Sequence, residues 1–174
     1  MFFKKVLDPF DPMLPEIKKL YETSFPKNER RDWEDVLKLL SAPAMILNLI
    51  VDDNLVIGFC TFWNLSDFIF LEHLAIKPFV QGRKHGQEVI RQLKQLKKPI
   101  VLETELPTIS SWRRRINFYT KNGFYLLPVR YYQPPYRRID QPIEMCLFST
   151  VLIQQEKIDL VINEIKRKVY PRFS

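Results

Sequence analysis

The sequence predicts an α+β domain in which a twisted mixed sheet of about seven strands is flanked by helices. Short apolar runs of strand length alternate with segments whose apolar residues recur at helical spacing. Two of the runs are joined by Asp52-Asp53-Asn54, which is a β-hairpin signal. With 174 residues and 46% hydrophobic content, the chain is long enough for one domain with its own core.

The apolar runs place the strands, and the helical spacings place the helices. We predict strands at 2–7, 44–51, 55–63, 68–76, 100–106, 124–127 and 144–151. We predict helices at 12–21, about 32–40, around 89–96, 112–122 and 158–170. Residues 128–142 are rich in Tyr, Arg and Pro, and this composition predicts an irregular loop.

The C-terminal segment, residues 151–174, is predicted to contain an amphipathic helix with basic residues opposite its apolar face. The apolar residues at helical spacing are Ile158, Val161, Ile162, Ile165 and Val169. Such a helix packs either on the body of the domain or on a second subunit of a homodimer. Binding to a membrane surface is a poorer explanation, because the apolar face is short and lacks aromatic anchors.

The composition gives no sign of a metal site or a membrane segment. Both cysteines, Cys60 and Cys146, lie within apolar runs, as small core residues do. With two histidines and no CxxC motif, the chain shows no zinc-binding constellation. No stretch approaches the ~18–20 apolar residues of a membrane span, and the N-terminus lacks the apolar region of a signal peptide. We therefore expect a cytoplasmic protein without a metal.

The formal net charge of +7 is concentrated in two segments. Residues 77–98 carry a net charge of +6 and residues 112–138 carry +7, which leaves the rest of the chain at −6. A basic segment is often only a solvated surface, or it attracts nucleic acid. The strand, loop and helix at residues 68–96 suggest a phosphate-bearing ligand instead.

Residues 68–96 combine a buried strand, a basic loop with two glycines, and a helix. In such an arrangement, backbone N–H groups at the helix N-terminus face an anion. Arg83, Lys84 and His85 add donors and positive charge at the same place. The loop lacks the spacing of the G-x-x-x-x-G-K-[ST] and G-x-G-x-x-G motifs. We therefore expect a phosphate-bearing ligand, held by a different kind of loop.

Two motifs indicate the family that the chain resembles. QGRKHG at residues 81–86 resembles the Q/R-x-x-G-x-G/A pyrophosphate loop of the GNAT N-acetyltransferases. RINFYTKNGF at residues 115–124 resembles the helix-and-turn signature of that family, with its FY and GF pairs in place. Three of the four glycines fall in these motifs. The resemblance covers roughly residues 1–150, and it implies a GNAT-like, mostly antiparallel sheet followed by the extra C-terminal helix.

The resemblance implies an N-acetyltransferase that moves an acetyl group from acetyl-CoA to a primary amine. The loop would hold the pyrophosphate, the two basic segments would surround the polyanionic cofactor, and the backbone at the end of the preceding strand would polarise the acetyl carbonyl. The residues that the resemblance assigns to cofactor binding are Leu74, Ala75, Ile76, Gln81, Gly82, Arg83, Lys84, His85, Gly86 and Gln87.

Tyr119 matches the tyrosine that protonates the leaving thiolate in this family. An unperturbed phenol has a pKa of ~10, near the range of a CoA thiol, so this proton transfer is reasonable. The alternative is a core aromatic residue whose hydroxyl group is satisfied by the protein.

A general base is sought among carboxylates on apolar strands, where a charge is costly unless it is paired or faces a cleft. The candidates are Glu72 and, on one face of the next strand, Glu103 and Glu105; Glu72 ranks first and Glu103 second. Desolvation would raise the pKa of such a carboxyl toward the value that a base requires at neutral pH. Glu72 could instead pair with an arginine such as Arg114 or Arg115, and deprotonation through water stays open. His73 is expected on the face opposite to Glu72, in a structural role.

Two positions depart from the pattern of the family. Lys84 replaces the first glycine of the loop, and lysine takes positive φ less cheaply than glycine. Trp112 stands seven residues before Tyr119, where members often carry an asparagine that contacts pantetheine. These substitutions do not prevent CoA binding, but they leave room for a weakened or altered acyl donor.

The sequence does not identify the acceptor. In the family the first helical pair lines the acceptor groove, which makes Phe25, Arg30, Arg31 and Trp33 candidate substrate contacts. Aromatic and arginine residues would suit an acceptor with an apolar or carboxylate-bearing part. One alternative function is a non-catalytic domain of the same fold that binds acyl-CoA or a partner protein. Another is RNA binding through the basic 112–138 segment, whose tyrosines could stack on bases, although nucleic acid is not the expected partner.

Overall fold

The structure, a computed structural model, describes residues 1–106 and 112–170; of Trp112 and Arg114 it describes only the backbone. The helices are α1 Leu14–Ser24, α2 Trp33–Leu39, α3 His85–Lys94, α4 Trp112–Lys121 and α5 Gln155–Val169. The strands are β1 Phe2–Lys5, β2 Met45–Asp52, β3 Leu55–Asn64, β4 Ile69–Ile76, β5 Ile100–Glu105, β6 Tyr125–Leu126, β7 Tyr131–Gln133 and β8 Ile143–Ser149. Short 3-10 turns lie at Lys27–Glu29 and Pro78–Val80.

The eight strands form one sheet in the order β1-β2-β3-β4-β5-β8-β6, and β7 also pairs with β8. Neighbouring strands run antiparallel except β4 and β5, which are parallel. The predicted α+β architecture, with its mostly antiparallel sheet and its C-terminal helix, is confirmed. The sheet has one strand more than expected.

The additional strand is β7, and the prediction of an irregular loop throughout residues 128–142 is wrong there. Tyr131 and Gln133 face inward and are 1% and 2% exposed, while Tyr132 between them is exposed. The alternation lasts only three residues, and one of its inward residues is polar. The strand therefore lacks the apolar pattern by which the other strands could be predicted.

Two apolar layers cover the two faces of the sheet. The layer on one face includes the buried residues of α1, α2 and α5, and the layer on the other face includes those of α3. In α5 the buried residues are Ile158, Ile162, Ile165 and Val169, so this helix packs on the sheet of its own chain. Within residues 1–106 and 112–170, no helix is both long enough and apolar enough to cross a membrane.

The pairing of the two central strands is incomplete. β4 and β5 pair only where Ile69–Leu71 meets Ile100–Leu102. Beyond these residues, the C-terminal halves of β4 and β5 do not pair with each other. The resulting gap borders both cavities that make up the candidate site.

β4 contains a bulge at Glu72, which has no partner in β3. The pairs on either side are Thr61 with His73 and Phe62 with Leu71. A bulge adds one residue and so shifts the alternation of side chains along the strand. Glu72 and His73 consequently lie on the same face, where both contact Tyr136. The prediction that His73 faces away from Glu72 is wrong for this reason.

Candidate active site

The free end of β4 offers two backbone N–H groups to the gap. The N–H of Lys77 donates to the carbonyl of Ile57 in β3 at 2.8 Å. Donor directions alternate along a strand, so the N–H groups of Leu74 and Ile76 point away from β3, toward the gap. Ala75 directs its backbone groups to β3 instead. Two of the three positions expected to polarise an acetyl carbonyl therefore have the required orientation.

The loop after β4 has the backbone shape of an anion-binding helix start. Gly82 and Lys84 have positive φ values of 81° and 65°. The first hydrogen bond of α3 runs from the N–H of Glu88 to the carbonyl of Lys84, at 3.1 Å. The N–H groups of residues 85–87 therefore have no helical acceptor and point out of the N-terminus of α3.

Lys84 takes the left-handed conformation at the position where the motif has glycine. The conformation costs a non-glycine residue about 1–2 kcal/mol, which the rest of the fold must offset. The substitution thus leaves the backbone path of the loop intact and adds a cation beside it.

A cavity of about 700 Å³, here called the loop cavity, lies between this loop and α4. From the loop it is lined by Gln81, Gly82, Lys84, His85, Gly86 and Gln87, and from α4 and its end by Arg115, Phe118, Tyr119, Lys121 and Asn122. The fold has brought the two basic segments of the sequence around one cavity. An ideal Cβ at Gly86 would lie 3.3 Å from Cζ of Phe118, so glycine permits the close approach of α3 and α4.

The side chains of the loop contribute unequally. The amide of Gln81 donates to the carbonyl of Ile76 at 2.8 Å and ties the loop to β4. Nδ1 of His85 lies 3.8 Å from Oδ2 of Asp52, so the imidazole is engaged with β2. Arg83 is exposed and is not among the described residues that line the loop cavity. The predicted contact from its side chain is therefore without support here.

A second cavity of about 420 Å³, here called the carboxylate cavity, adjoins the first. Four carboxylates line it: Glu29, Glu72, Glu103 and Glu105. The residues that it shares with the loop cavity are Leu74, Ile76, Gln81, Arg115 and Tyr119. The two cavities therefore meet at the free end of β4.

Tyr119 stands at this junction. Its ring packs against those of Phe118, Phe124 and Phe148, with centroid distances of 5.2, 5.5 and 6.0 Å. Among the described residues, no group forms a hydrogen bond with its hydroxyl. Burial raises the pKa of the phenol and the nearby Arg115 opposes this shift, so Tyr119 stays protonated at neutral pH. A fixed ring with an unengaged hydroxyl suits a proton donor.

Glu72 is saturated with partners. Its carboxylate accepts hydrogen bonds from Nε1 of Trp63 at 2.7 Å and from the hydroxyl of Tyr136 at 2.9 Å, and it forms an ion pair with Arg31 at 3.0 Å. Burial alone would raise the pKa of Glu72, but Arg31, His73 and these donors lower it below its usual value. The sequence predicted that Glu72 could pair with an arginine such as Arg114 or Arg115, and the arginine that it pairs with is Arg31. Such a carboxylate is a poor proton acceptor.

Glu103 has the opposite surroundings. The hydroxyl of Tyr170 donates to its Oε1, and its buried Oε2 has no hydrogen-bond partner among the described residues. Burial raises the pKa of Glu103 to about 7, although the hydroxyls of Tyr170 and Tyr131 oppose the shift. The expected effect of desolvation therefore applies to Glu103 rather than to Glu72.

Glu29 and Glu105 form a pair of neighbouring carboxyls at the same cavity. Glu105 forms an ion pair with Arg115, with 2.9 Å between the nitrogen and the carboxylate oxygen. Burial, followed by the charge of Glu105 and a hydrogen bond with it, raises the pKa of Glu29 to about 7. Glu29 was missed by sequence reasoning because it lies in a polar connector without periodicity. No local signal distinguishes it from an exposed residue.

His73 is held inside the protein. Its Nε2 donates to the carbonyl of Glu29 at 3.1 Å, and its Nδ1 accepts from the hydroxyl of Thr61 at 3.2 Å. The ring also contacts Tyr21 and Phe25, with centroid distances of 5.0 and 4.5 Å. Burial lowers the pKa of the imidazole. These contacts give His73 a structural role.

The family assignment follows from a match to the acetyltransferase (GNAT) family model, which covers residues 14–124. The chain belongs to the GNAT family. A GNAT-family protein from Bacteroides thetaiotaomicron is 31% identical, with 98% of each chain covered and a TM-score of 0.90. No protein of curated function matches the sequence.

More distant GNAT structures share the fold alone. The ribosomal-protein-S18-alanine N-acetyltransferase of Escherichia coli is 15% identical, with a TM-score of 0.59 over 88% of this chain and 96% of that chain. A Bacillus subtilis acetyltransferase in complex with CoA is 13% identical, with a TM-score of 0.57 over 87% of this chain and 98% of that chain.

Only one of the four acceptor contacts expected of this GNAT protein lines the carboxylate cavity, namely Phe25. Trp33 is a core residue. Nε of Arg30 donates to the carbonyl of Phe25 at 3.1 Å, and Arg31 is committed to Glu72. The expectation of a carboxylate-bearing acceptor loses its basis, because four glutamates and one arginine, Arg115, are the Glu and Arg residues in the described lining of the cavity.

Two further expectations for this GNAT protein fall outside the described side chains. They concern Trp112, at the position where members often have asparagine, and Arg114, one of the arginines considered as a partner for Glu72. Within residues 1–106 and 112–170, no group of three His, Cys, Asp or Glu side chains could hold a metal ion.

Proposed function

We propose that this protein transfers an acetyl group from acetyl-CoA to a primary amine. The observation that carries the proposal is the junction of the two cavities at the free end of β4, beside the unengaged hydroxyl of Tyr119. An acyl donor in the loop cavity and an amine in the carboxylate cavity would meet at this point. Membership of the GNAT family gives the same reaction class.

The residues of the loop cavity fit the pyrophosphate of the donor. Three N–H groups without a helical acceptor stand at the N-terminus of α3, where an anion is stabilised by the helix dipole. Lys84 and Lys121 add positive charge to the lining. The residues that we propose for cofactor binding through the backbone or side chain are Gln81, Gly82, Lys84, His85, Gly86 and Gln87, with Leu74 and Ile76 beneath the acetyl group. When bound, acetyl-CoA supplies the activated thioester.

Glu103 is the proton acceptor in this proposal. Its pKa of about 7 makes it about half ionised at neutral pH, so it can take a proton from an incoming ammonium group. The resulting free amine forms the new C–N bond to the acetyl carbon as the C–S bond breaks. Tyr119 gives its proton to the departing sulfur and recovers one from the amide nitrogen. The sum is one amide, one thiol and one proton released through Glu103.

Glu72 takes a different part in this proposal. Its pKa lies below the usual value, and its oxygens are occupied by three donors. We assign Glu72 a structural role, in which it holds Arg31 and Tyr136 beside the cavity and does not accept the proton of the amine.

The proposal is tested first by thermal melts with acetyl-CoA and with ADP-ribose as an unrelated pyrophosphate. A ligand at about 100 times its Kd stabilises by about 2.7 kcal/mol, which shifts the Tm of a domain of this size by about 5–10 °C. We expect a shift with acetyl-CoA and little with ADP-ribose. Turnover is then followed as thiol release with a panel of amines.

Tyr119→Phe separates catalysis from binding. We expect the variant to keep the acetyl-CoA shift and to lose about 10²–10⁴-fold in kcat, the usual contribution of a general acid. Tyr125→Phe, at an exposed position of β6, is the matched control and should retain full turnover. Equal rates for the wild type and Tyr119→Phe would contradict the assigned role. Absence of any acetyl-CoA shift would contradict the proposed function itself.

A further inference from the structure

The carboxylate cavity has more carboxyl groups than arginines that pair with them. Two of its four carboxylates form ion pairs with arginines. The other two, Glu29 and Glu103, have no ion pair to any residue in the described part of the chain. Burial and neighbouring carboxylates raise the pKa of both to about 7. A ligand with two positive charges would let both groups ionise.

The cavity also contains unsatisfied polar atoms. Gln133 is only 2% exposed, lines the cavity, and its Nε2 has no hydrogen-bond partner among the described residues. Oε2 of Glu103 and the hydroxyl of Tyr131 are also buried without a hydrogen bond of normal geometry, although the two groups are near enough for Tyr131 to lower the pKa of Glu103. Native proteins satisfy about nine in ten buried polar groups, so the orphaned amide of Gln133 on this cavity indicates a missing partner. The carboxamide orientation can be reversed to present its oxygen, and an ammonium group could then donate to Gln133 and Glu103.

The lining of the cavity is also partly apolar. Leu20, Phe25 and Met145 contribute to it. The carboxyl group of Glu103 is buried, and Glu29 is half-buried in the connector before α2. The cavity therefore combines two carboxyl groups that lack ion pairs with apolar side chains that a hydrocarbon chain could contact.

We infer that the acceptor is a small molecule with two amino groups joined by a hydrocarbon chain. The reacting amine lies at Glu103 and Gln133, and the second ammonium group is held by Glu29. The inference rests on the proposed function and names its substrate class. The volume of about 420 Å³ is within the range of small-molecule sites, roughly 300–1,000 Å³. A lysine side chain beside a second basic group has the same chemistry, and the test below includes it.

The test is a comparison of matched acceptors at saturating acetyl-CoA, followed as thiol release. For each length from propyl to hexyl, the panel contains the monoamine, the diamine and the amino acid with a terminal carboxylate. A basic peptide with an acetylatable lysine forms a fourth arm. We expect kcat/KM for the best diamine to exceed that of its monoamine by about tenfold or more, with the aminocarboxylate lowest. One retained charge–charge contact of about 1.4 kcal/mol corresponds to that factor.

Glu29→Gln tests where the second ammonium group is held. The substitution keeps the size of the side chain and removes its charge, so the diamine-to-monoamine ratio should fall about tenfold. Glu22→Gln, at an exposed position of α1 outside the cavity, is the matched control and should leave the ratio unchanged. A thermal melt of each variant verifies that it is folded.

The outcomes separate the two proposals. If monoamines are acetylated as well as diamines, the inference is overturned and the proposed function stands. If the peptide exceeds every diamine, the acceptor is a protein lysine and the small-molecule assignment is wrong. An unchanged ratio in Glu29→Gln would remove Glu29 from the site. If acetyl-CoA binds and no amine is acetylated, the proposed function fails together with the inference.

Discussion

Glu72 and Glu103 stand on neighbouring strands and line the same cavity, but their surroundings give them opposite properties. Glu72 meets an arginine and two further donors, and its pKa lies below the usual value. Glu103 meets only tyrosine hydroxyls, has no ion pair among the described residues, and has a pKa of about 7. Both are buried. The comparison shows that burial alone does not make a carboxyl a base, because the partners decide the direction of the shift.

The largest expected effect concerns the turnover that we assign to Glu103. Glu103→Gln keeps the shape of the side chain and can still accept from Tyr170, but it cannot take a proton. We expect kcat to fall about 10²–10⁴-fold while the acetyl-CoA shift in Tm is kept. Steady-state thiol release measures the loss. Wild-type kcat in Glu103→Gln, combined with a loss in Glu29→Gln, would transfer the role of base to Glu29.

Glu72→Gln is expected to act on stability instead. Removing one member of a buried ion pair leaves the other charge uncompensated, at a cost of about 3–5 kcal/mol. Denaturant unfolding gives this difference in free energy. Glu88→Gln is the matched control, because it removes an exposed ion pair with Arg91 and should change stability far less. A Glu72→Gln protein that is as stable as the control but inactive would reverse the comparison.

The sequence was sufficient for the parts of the site that depend on local pattern. The loop at 81–87, the helix that presents Tyr119 and the strands that carry Glu72 and Glu103 are all placed by apolar periodicity and by two short motifs. The backbone of Lys84 also does what the motif requires of a glycine. These features are set by residues near one another in the chain.

The partners could not be predicted in the same way. Arg31 is 41 positions from Glu72 in the chain and Tyr170 is 67 positions from Glu103, and no local pattern links residues so far apart. The bulge that turns His73 to the face of Glu72 depends on register with β3. β7 and Glu29 lack apolar periodicity. The opposite pKa shifts of Glu72 and Glu103 therefore depend on tertiary contacts.

A smaller effect is expected in the pH dependence of stability. The pKa of Glu103 is higher in the folded protein than its ordinary value of 4.5, so the folded state binds the proton more tightly. The contribution of Glu103 to stability should therefore fall as pH rises from about 4.5 through 7, by at most about 3 kcal/mol. Glu103→Gln lacks this term and should be more stable than the wild type at pH 8, with the difference shrinking toward pH 5. Melts of both proteins across this range measure it, and a constant difference would contradict the raised pKa.

The smallest effect concerns Tyr170, which α5 places against Glu103. Tyr131, Glu72 and Glu29 also act on the Glu103 carboxyl. The hydrogen bond from Tyr170 holds the pKa of Glu103 down, so Tyr170→Phe should raise that pKa further. A neutral hydrogen bond contributes about 1 kcal/mol, which corresponds to a shift of about 0.7 pH units in the acid limb of kcat/KM.

Tyr132→Phe, at an exposed position of β7, is the matched control for this shift. An acid limb at the same pH in Tyr170→Phe and Tyr132→Phe would mean that Tyr170 only packs against the strand. A shift in Tyr170→Phe alone would show that a residue at the end of α5, beyond the segment matched by the family model, tunes the proton acceptor. That helix would then be part of the catalytic apparatus as well as of the core.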